Sequence, residues 1–155
     1  MTREEFAEKV LDSEAVLYRI SRSMLRNEAD CEDAVQTAIL RAYEKLSTLK
    51  NEEYFRTWLV RILINVCNKR LNERKRIVDI DEYQAQTTAS VPSDEVGTEV
   101  RMALEGLPVK IRQAMVLFYI EDFSIEEIRR TLGIPAGTVK SRLSKGRQLM
   151  REKLS

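Results

Sequence analysis

The residues best suited to chemistry in this chain are basic and lie near its C-terminus, in the segment GIPAGTVKSRLSKGRQLMREKL at 133–154. One predicted helix there carries Lys140, Arg142, Lys145, Arg147, Arg151 and Lys153 against Glu152 alone. Lysine and arginine clusters bind phosphate through charge-assisted hydrogen bonds, which makes nucleic acid the leading partner. The alternative is an ordinary solvated basic face on a surface helix.

The chain has few residues suited to catalysis or to metal binding. The chain has no histidine, which removes the commonest general base and most zinc sites. Cys31 and Cys67 are too few and too far apart for a disulfide framework, and we expect two buried thiols in a reducing compartment. An enzyme built on acidic pairs such as Asp30 and Asp33 is therefore disfavoured, and we expect neither catalysis nor a cofactor or metal.

The length and the N-terminus limit the class of protein. At 155 residues the chain suits one domain or two small ones. No apolar run approaches the roughly 18 residues of a membrane span, and MTREEFAEKV does not resemble a signal peptide. We therefore expect a cytoplasmic protein without membrane insertion.

Charge is distributed in blocks although the net charge is only +1. The segment NKRLNERKR at 68–76 is basic, the stretch 77–100 holds six acids and no base, and the last helix is basic again. The acidic stretch also loses the helical period, so we predict a flexible acidic linker at 77–97. It is either a solvated connector or a segment that lies along a basic channel in a partner.

Helical periodicity defines one unit on each side of this linker. Before it, apolar residues recur at helical spacing in three sets: Leu17, Ile20 and Met24; Val35, Ala38, Ile39, Ala42 and Leu46; Phe55, Trp58, Leu59, Ile62 and Val66. We predict an all-α protein of two small helical domains, the first a three- to four-helix bundle.

The second unit carries the pattern of a helix-turn-helix. Ser124 and Glu127 form a capping-box pattern at the start of a short helix that Gly133 ends. Pro135 then restarts the chain before the basic helix, which keeps Val139 and Leu143 inward. Gly146 also lies on the inward side, where we predict a close helix crossing.

A second helix of this kind enters the major groove of DNA with its N-terminal half on the base edges. Lysine reaches guanine acceptors, hydroxyl groups adapt to either base, and arginine binds phosphate. The candidate DNA-binding residues are Thr138, Lys140, Ser141, Arg142, Ser144, Lys145 and Arg147.

Two long segments resemble one family. LPVKIRQAMVLFYIEDFSIEEIRRTLGIPAGTVKSRLSKGRQLMREKL resembles region four of extracytoplasmic-function (ECF) sigma factors, and the segment 17–76, with DCEDAVQ and FRTWLVRILIN, resembles their region two. The resemblance implies region two at 1–76, which reads the −10 element and binds core RNA polymerase. It implies a −35-reading region four at 98–155.

The resemblance also implies roles for particular residues. Asp33, Gln36 and Leu40 match the surface that docks on the polymerase, although Thr37 stands where many members have glutamate. The loop 46–53 matches the site that captures a flipped base, so the −10 candidates are Thr48, Lys50, Asn51, Asn65, Lys69 and Arg70. Trp58 could stack on melted DNA, but its place beside Phe55 and Leu59 favours a core position.

The implied function is a sigma factor that binds core polymerase and promoter DNA and helps to melt it. Members of the family are often held inactive by an anti-sigma factor, so such a partner is expected by resemblance. The alternative is a stand-alone helix-turn-helix regulator that binds an operator, which would leave the first unit without a task.

Overall fold

The computed structural model describes residues 1–77 and 97–155, and all regular structure in these ranges is helical. The interior of the predicted linker, 78–96, lies outside the described residues. In chain order the α-helices are α1 (Arg3–Met24), α2 (Glu28–Glu44), α3 (Phe55–Ile77), α4 (Thr98–Glu105), α5 (Val109–Met115), α6 (Ile125–Leu132) and α7 (Ala136–Leu154). Short 3-10 turns occupy Leu46–Thr48 and Glu52–Tyr54, and a π-helical stretch occupies Val116–Ile120.

Helices α1, α2 and α3 form the first unit, as predicted. Helix α1 begins at Arg3, well before the apolar set that starts at Leu17. Phe6 and Val10 are buried in this earlier part of the helix. A capping box starts it, since the Thr2 hydroxyl accepts from the Glu5 N–H at 3.1 Å while the Glu5 carboxylate accepts from the Thr2 N–H.

Both cysteines are buried between helices of this unit, as expected. Cys31 donates to the Leu25 carbonyl at 3.0 Å. Burial raises the pKa of the Cys31 thiol, and burial raises the pKa of Cys67 to about 12. Because the thiolate is the reactive form, these side chains act as small core residues.

The second unit consists of α4 to α7, and its other helices pack against α7. Val139 and Leu143 face inward and are 0% and 2% exposed. Helix α5 continues into the π-helical stretch, after which Asp122 adopts a left-handed φ of 58°. This turn places Phe123 in the core, where it is 1% exposed.

Gly146 confirms the predicted close crossing of α5 and α7. A Cβ at this position would lie 2.5 Å from Met115 Sδ and 3.2 Å from Ile111 Cγ2. The first distance is far inside van der Waals contact, so only glycine fits here without a shift of the neighbouring side chain.

We therefore expect Gly146→Ala to destabilise the fold by about 1–2 kcal/mol in chemical denaturation. Overpacking costs about 1–3 kcal/mol, and the better helix propensity of alanine returns about 0.5–1 kcal/mol. In a Met115→Ala background only the approach to Ile111 Cγ2 at 3.2 Å remains, so the same change should cost much less or stabilise. A destabilisation of equal size in both backgrounds would show that Met115 is not the cause.

The two units pack against each other in this structure. Buried residues of both belong to one hydrophobic cluster, in which α1 and α3 of the first unit contact α5 and α6 of the second. Among residues 1–77 and 97–155, no helix combines the length and the apolar character needed to cross a bilayer.

Candidate nucleic-acid interface

The helix-turn-helix is built by local interactions that the sequence predicts. The Ser124 hydroxyl accepts from the Glu127 N–H at 3.0 Å, and the Ser124 N–H donates to the Glu127 carboxylate at 2.9 Å, which confirms the capping box. Helix α6 ends at Gly133, whose φ of 67° is left-handed. The turn continues to Pro135, directly before the first residue of α7.

The outward face of α7 presents most of the predicted base-reading and phosphate-binding groups to solvent. Lys140, Ser141, Ser144, Lys145 and Arg147 are exposed, whereas Thr138 and Arg142 are half-buried. Within the described residues, neither Lys140 nor Lys145 forms an ion pair. These ammonium groups are therefore available to an anionic partner.

Three of the predicted −10 residues lie together in the loop between α2 and α3. Thr48, Lys50 and Asn51 line a cleft of about 760 Å³. Two of them also shape the loop: the Thr48 hydroxyl donates to the Lys45 carbonyl at 2.6 Å, and the Asn51 side chain accepts from the Glu53 N–H at 3.0 Å. Lys50 is exposed.

Trp58 combines a core contact with a place at this cleft. It is partly buried against the hydrophobic core, and its ring centroid lies 5.8 Å from that of Phe55. It also belongs to the lining of the cleft beside the loop. The core position agrees with the sequence interpretation, and the same side chain borders the cleft.

The other predicted −10 residues do not join the loop. Asn65 is exposed and lines a second cleft, of about 970 Å³, together with Arg142 of α7. Lys69 is exposed. Arg70 pairs with Asp33 of α2 and donates through Nη2 to the Thr37 hydroxyl at 3.0 Å.

The predicted polymerase-binding residues lie on one exposed stripe of α2. Asp33, Gln36 and Leu40 follow at spacings of three and four residues, and Leu40 is 59% exposed. Because Asp33 pairs with Arg70, the structure joins a predicted polymerase-binding residue to a predicted DNA-binding one. Arg74 pairs with Asp30 in the same way, one turn further along α3.

Sequence reasoning missed a set of residues that face the loop cleft from the second unit. The Arg130 guanidinium lies 4.1 Å from the Tyr54 ring centroid, and Arg61 donates to the Arg130 carbonyl at 3.3 Å. Hydrogen bonds from Arg129, with charge from both arginines, lower the pKa of Glu126 to about 2, so its carboxylate stays ionised. The adjacent arginines of α6 were visible in the sequence, but their proximity to Tyr54 depends on how the units pack.

Comparisons with known proteins agree on one family. Residues 12–77 match the family model for sigma-70 region 2, and residues 98–150 match the model for sigma-70 region 4. The chain is 32% identical to the ECF RNA polymerase sigma factor SigW of Bacillus subtilis, over 89% of this chain and 82% of that protein. It is 30% identical to the ECF RNA polymerase sigma-E factor of Escherichia coli, over 81% and 74%.

A solved structure resembles the whole described fold. The sigma factor RpoE of Bartonella quintana, solved in complex with the anti-sigma factor NepR, superposes with a TM-score of 0.84 at 26% identity. The match covers 97% of each chain. A likeness of this extent includes both units together with their packing.

Proposed function

We propose, since this chain belongs to the extracytoplasmic-function (ECF) sigma factors of the sigma-70 family, that its two helical units divide promoter recognition between them. The chain binds core RNA polymerase and directs promoter-specific transcription initiation. Region two, at 1–76, reads the −10 element, and region four, at 98–155, reads the −35 element. The observation that carries this division is the exposed polar and basic face of α7, held by a helix-turn-helix.

In region four, the base edges are read from the N-terminal half of α7. Thr138, Lys140, Ser141, Ser144 and Lys145 reach the bases, and Arg142 and Arg147 bind the flanking phosphates. The inward packing of Val139 and Leu143 supports this assignment, because it fixes which side chains point away from the core.

In region two, Thr48, Lys50 and Asn51 surround the flipped base, and Trp58 supplies an aromatic edge nearby. Asn65 contacts an adjacent base, while Lys69 and Arg70 hold phosphates. Melting follows if capture of the flipped base is more favourable than its stacking in the duplex. No bond is made or broken by the protein, so the chain acts without catalysis.

Each region alone makes only modest contacts with promoter DNA, and core polymerase is the partner that makes the two together sufficient for recognition. It holds both regions at the promoter spacing, so binding by one region raises the effective concentration of the other at its DNA element. Asp33, Gln36 and Leu40 form the docking stripe on α2, and we place the protein in the cytoplasm, where polymerase is. An anti-sigma factor is a further partner, supported by the solved RpoE–NepR complex that this fold resembles.

The docking stripe predicts that Asp33→Lys weakens core polymerase binding about tenfold or more, which corresponds to about 1.4 kcal/mol. A lysine there would repel a cationic surface that the carboxylate attracts. The measurement is a titration of labelled core polymerase with the full chain. Glu32→Lys, an identical charge change at the neighbouring exposed position, is the control, and equal losses in both variants would contradict the assignment.

A transcription assay tests the whole function. Purified chain and bacterial core polymerase are combined on a promoter library, alongside a gel shift of the chain alone. Promoter-specific transcripts that require both proteins are expected. Tight operator binding by the chain alone, without transcripts, would instead identify a stand-alone regulator.

A further inference from the structure

The second cleft, of about 970 Å³, lies where residues of α3 in the first unit face residues of α5, α6 and α7 in the second. Small-molecule sites usually have volumes of roughly 300–1,000 Å³ and walls that are mainly apolar. The apolar wall of this cleft is formed by Met24, Ile64, Leu71, Ile111, Leu132 and Ile134. The proposed function uses only Asn65 and Arg142 of the lining, so the cleft itself has no role in it.

The charged residues that line this cleft are all basic. Arg26, Lys110, Arg112 and Arg142 belong to the described lining, which contains no aspartate or glutamate. The whole chain carries 26 basic and 25 acidic residues, so composition does not explain this separation of charge. Within residues 1–77 and 97–155, neither Lys110 nor Arg142 forms an ion pair. Their charges are therefore available to an anion.

The pKa of Arg112 reports the effect of this positive charge. Burial, followed by the charge of Arg26, lowers that pKa to about 10, although Glu105 acts in the opposite direction. The two guanidinium groups therefore repel each other at the cleft. A negative charge bound nearby would favour the charged form of both, so the site gains from an anionic ligand.

Three asparagines of α3 add neutral hydrogen-bonding groups to the same cleft. Asn65, Asn68 and Asn72 are three and four residues apart, so they lie on one face of the helix. Asn68 is engaged by Gln113, whose Nε2 donates to its Oδ1 at 3.3 Å, whereas Asn65 and Asn72 are exposed. A primary amide donates and accepts at once, and asparagine pairs with adenine through two such hydrogen bonds.

A buried hydroxyl group at this cleft lacks a partner within the described chain. Thr131 of α6 belongs to the lining and is 1% exposed, and its Oγ1 forms no hydrogen bond with any described residue. Buried hydroxyl groups are nearly always paired with protein, water or a ligand. The missing partner therefore points to a polar molecule that the chain itself does not supply.

We infer that this cleft binds a nucleotide, with its phosphates at Lys110 and Arg142 and its base between the amides of α3 and the apolar wall. The basic side chains suit phosphate, the amides suit the edge of a purine, and the apolar wall suits its face. A DNA backbone would need only the exposed cations, so the apolar wall and the buried Thr131 favour a small molecule.

A bound nucleotide has a consequence for promoter recognition. It would cover Asn65 and Arg142, which the proposed function assigns to the −10 and −35 elements, so nucleotide and promoter DNA would compete for this chain. The competition rests on the proposed function, whereas binding of the nucleotide does not.

The first test measures binding of ADP to the full-length chain by isothermal titration calorimetry. Mg²⁺ is omitted, because the described lining has no carboxylate that could share a metal ion with the phosphates. Adenosine lacks the phosphates and inorganic pyrophosphate lacks the base, so these two probes test the two halves of the site. We expect ADP to bind about tenfold or more tightly than either. Pyrophosphate that binds as tightly as ADP would overturn the nucleotide in favour of a simple anion site.

Lys110→Glu and Asn72→Leu test the two kinds of contact at exposed positions of the lining. Lys110→Glu should weaken ADP about tenfold or more, and Asn72→Leu should weaken ADP about threefold to tenfold without weakening pyrophosphate. Arg3→Glu makes the same charge change at the exposed start of α1, outside the cleft, and should bind ADP as wild type does. Equal losses in Lys110→Glu and Arg3→Glu would overturn the site, and circular dichroism checks that each variant is helical.

The second test measures retention of labelled promoter DNA by the chain with core polymerase, without substrates for transcription. ADP at about ten times its Kd should lower the apparent affinity for the promoter about tenfold. The Lys110→Glu variant should bind the promoter normally and resist ADP, and since the polymerase is the same, the difference belongs to this chain. Equal inhibition of both forms would overturn competition at the cleft.

The two tests separate this inference from the function on which its regulatory part rests. No binding of ADP to the wild-type chain would overturn the nucleotide site and leave the sigma function intact. Failure of every form to bind promoter DNA with core polymerase, in the absence of ADP, would overturn the function. Calorimetry would still decide whether the cleft binds ADP in that case.

Discussion

Replacing Lys145 by glutamate is expected to abolish −35-dependent transcription while core polymerase binding stays intact. Lys145 is exposed on the outward face of α7, and the helix core lies on the other side, at Val139 and Leu143. A good side-chain contact to a base is worth about 1–3 kcal/mol, and a carboxylate there adds repulsion from the phosphates. The expected loss is roughly two orders of magnitude in promoter-specific transcripts.

The matched control is Lys153→Glu. Lys153 lies on the same helix, eight residues or about 12 Å further along, and its ammonium group lies close to Gly106 in the turn after α4. The Lys153→Glu variant has the same change of net charge and should retain most of the transcription. Normal promoter activity in the Lys145 variant would remove that residue from the recognition set.

Replacing Arg112 by methionine is expected to lower the free energy of unfolding by about 3–5 kcal/mol, from the hydrogen bonds that three backbone carbonyls lose. Arg112 is 3% exposed, and its guanidinium donates to the carbonyls of Ser23 at 2.7 Å and of Glu105 and Leu107 at 3.0 Å. Methionine keeps much of the volume but leaves three carbonyls without this donor, and each unpaired group costs about 1–3 kcal/mol. Urea denaturation followed by circular dichroism measures the change.

The pH dependence of this loss has a definite sign. Burial, followed by the charge of Arg26, lowers the pKa of Arg112 to about 10. Between pH 6 and 9 the side chain is therefore protonated in both the folded and the unfolded state, and the loss should be constant. Above about pH 10 the folded state binds fewer protons at Arg112 than the unfolded state does. Wild-type stability therefore rises with pH in this range.

Arg151→Met is the control for the Arg112 substitution. Arg151 is exposed, so its replacement should change the free energy of unfolding by less than about 0.5 kcal/mol.

Local patterns in the sequence predicted the three helices of the first unit, apart from the start of α1, and the helix-turn-helix. The period of the apolar residues reports which face of each helix is buried, and the capping box at Ser124 reports where α6 begins. The start of α1 was missed, although Phe6 and Val10 continue the helical spacing of Leu17. The exposure of Lys140 and Lys145 followed directly from the inward position of Val139.

Contacts between distant parts of the chain could not be predicted in this way. Arg19 and Glu121 form an ion pair although they are 102 residues apart, and each looks like an ordinary surface charge in its own segment. The pairing of Arg70 with Asp33 likewise depends on the register of α3 against α2, which a helical period does not encode. The sequence could therefore name candidate residues, and these stay predictions, whereas the ion pairs that some of them form with distant residues could not be predicted.

The Arg70–Asp33 and Arg74–Asp30 pairs have a consequence for the thermodynamics of DNA association. Each cation that replaces a condensed counterion on DNA steepens the fall of affinity with salt by nearly one unit on logarithmic axes. An arginine that is paired with a carboxylate of its own chain must leave that carboxylate before it can bind a phosphate and displace a counterion. The carboxylate is then left without a partner. For the chain alone, the salt slope should then reflect the basic groups of α7 more than those of α3. Once a cationic protein surface neutralises Asp30 and Asp33, the slope should steepen as the two arginines begin to displace counterions.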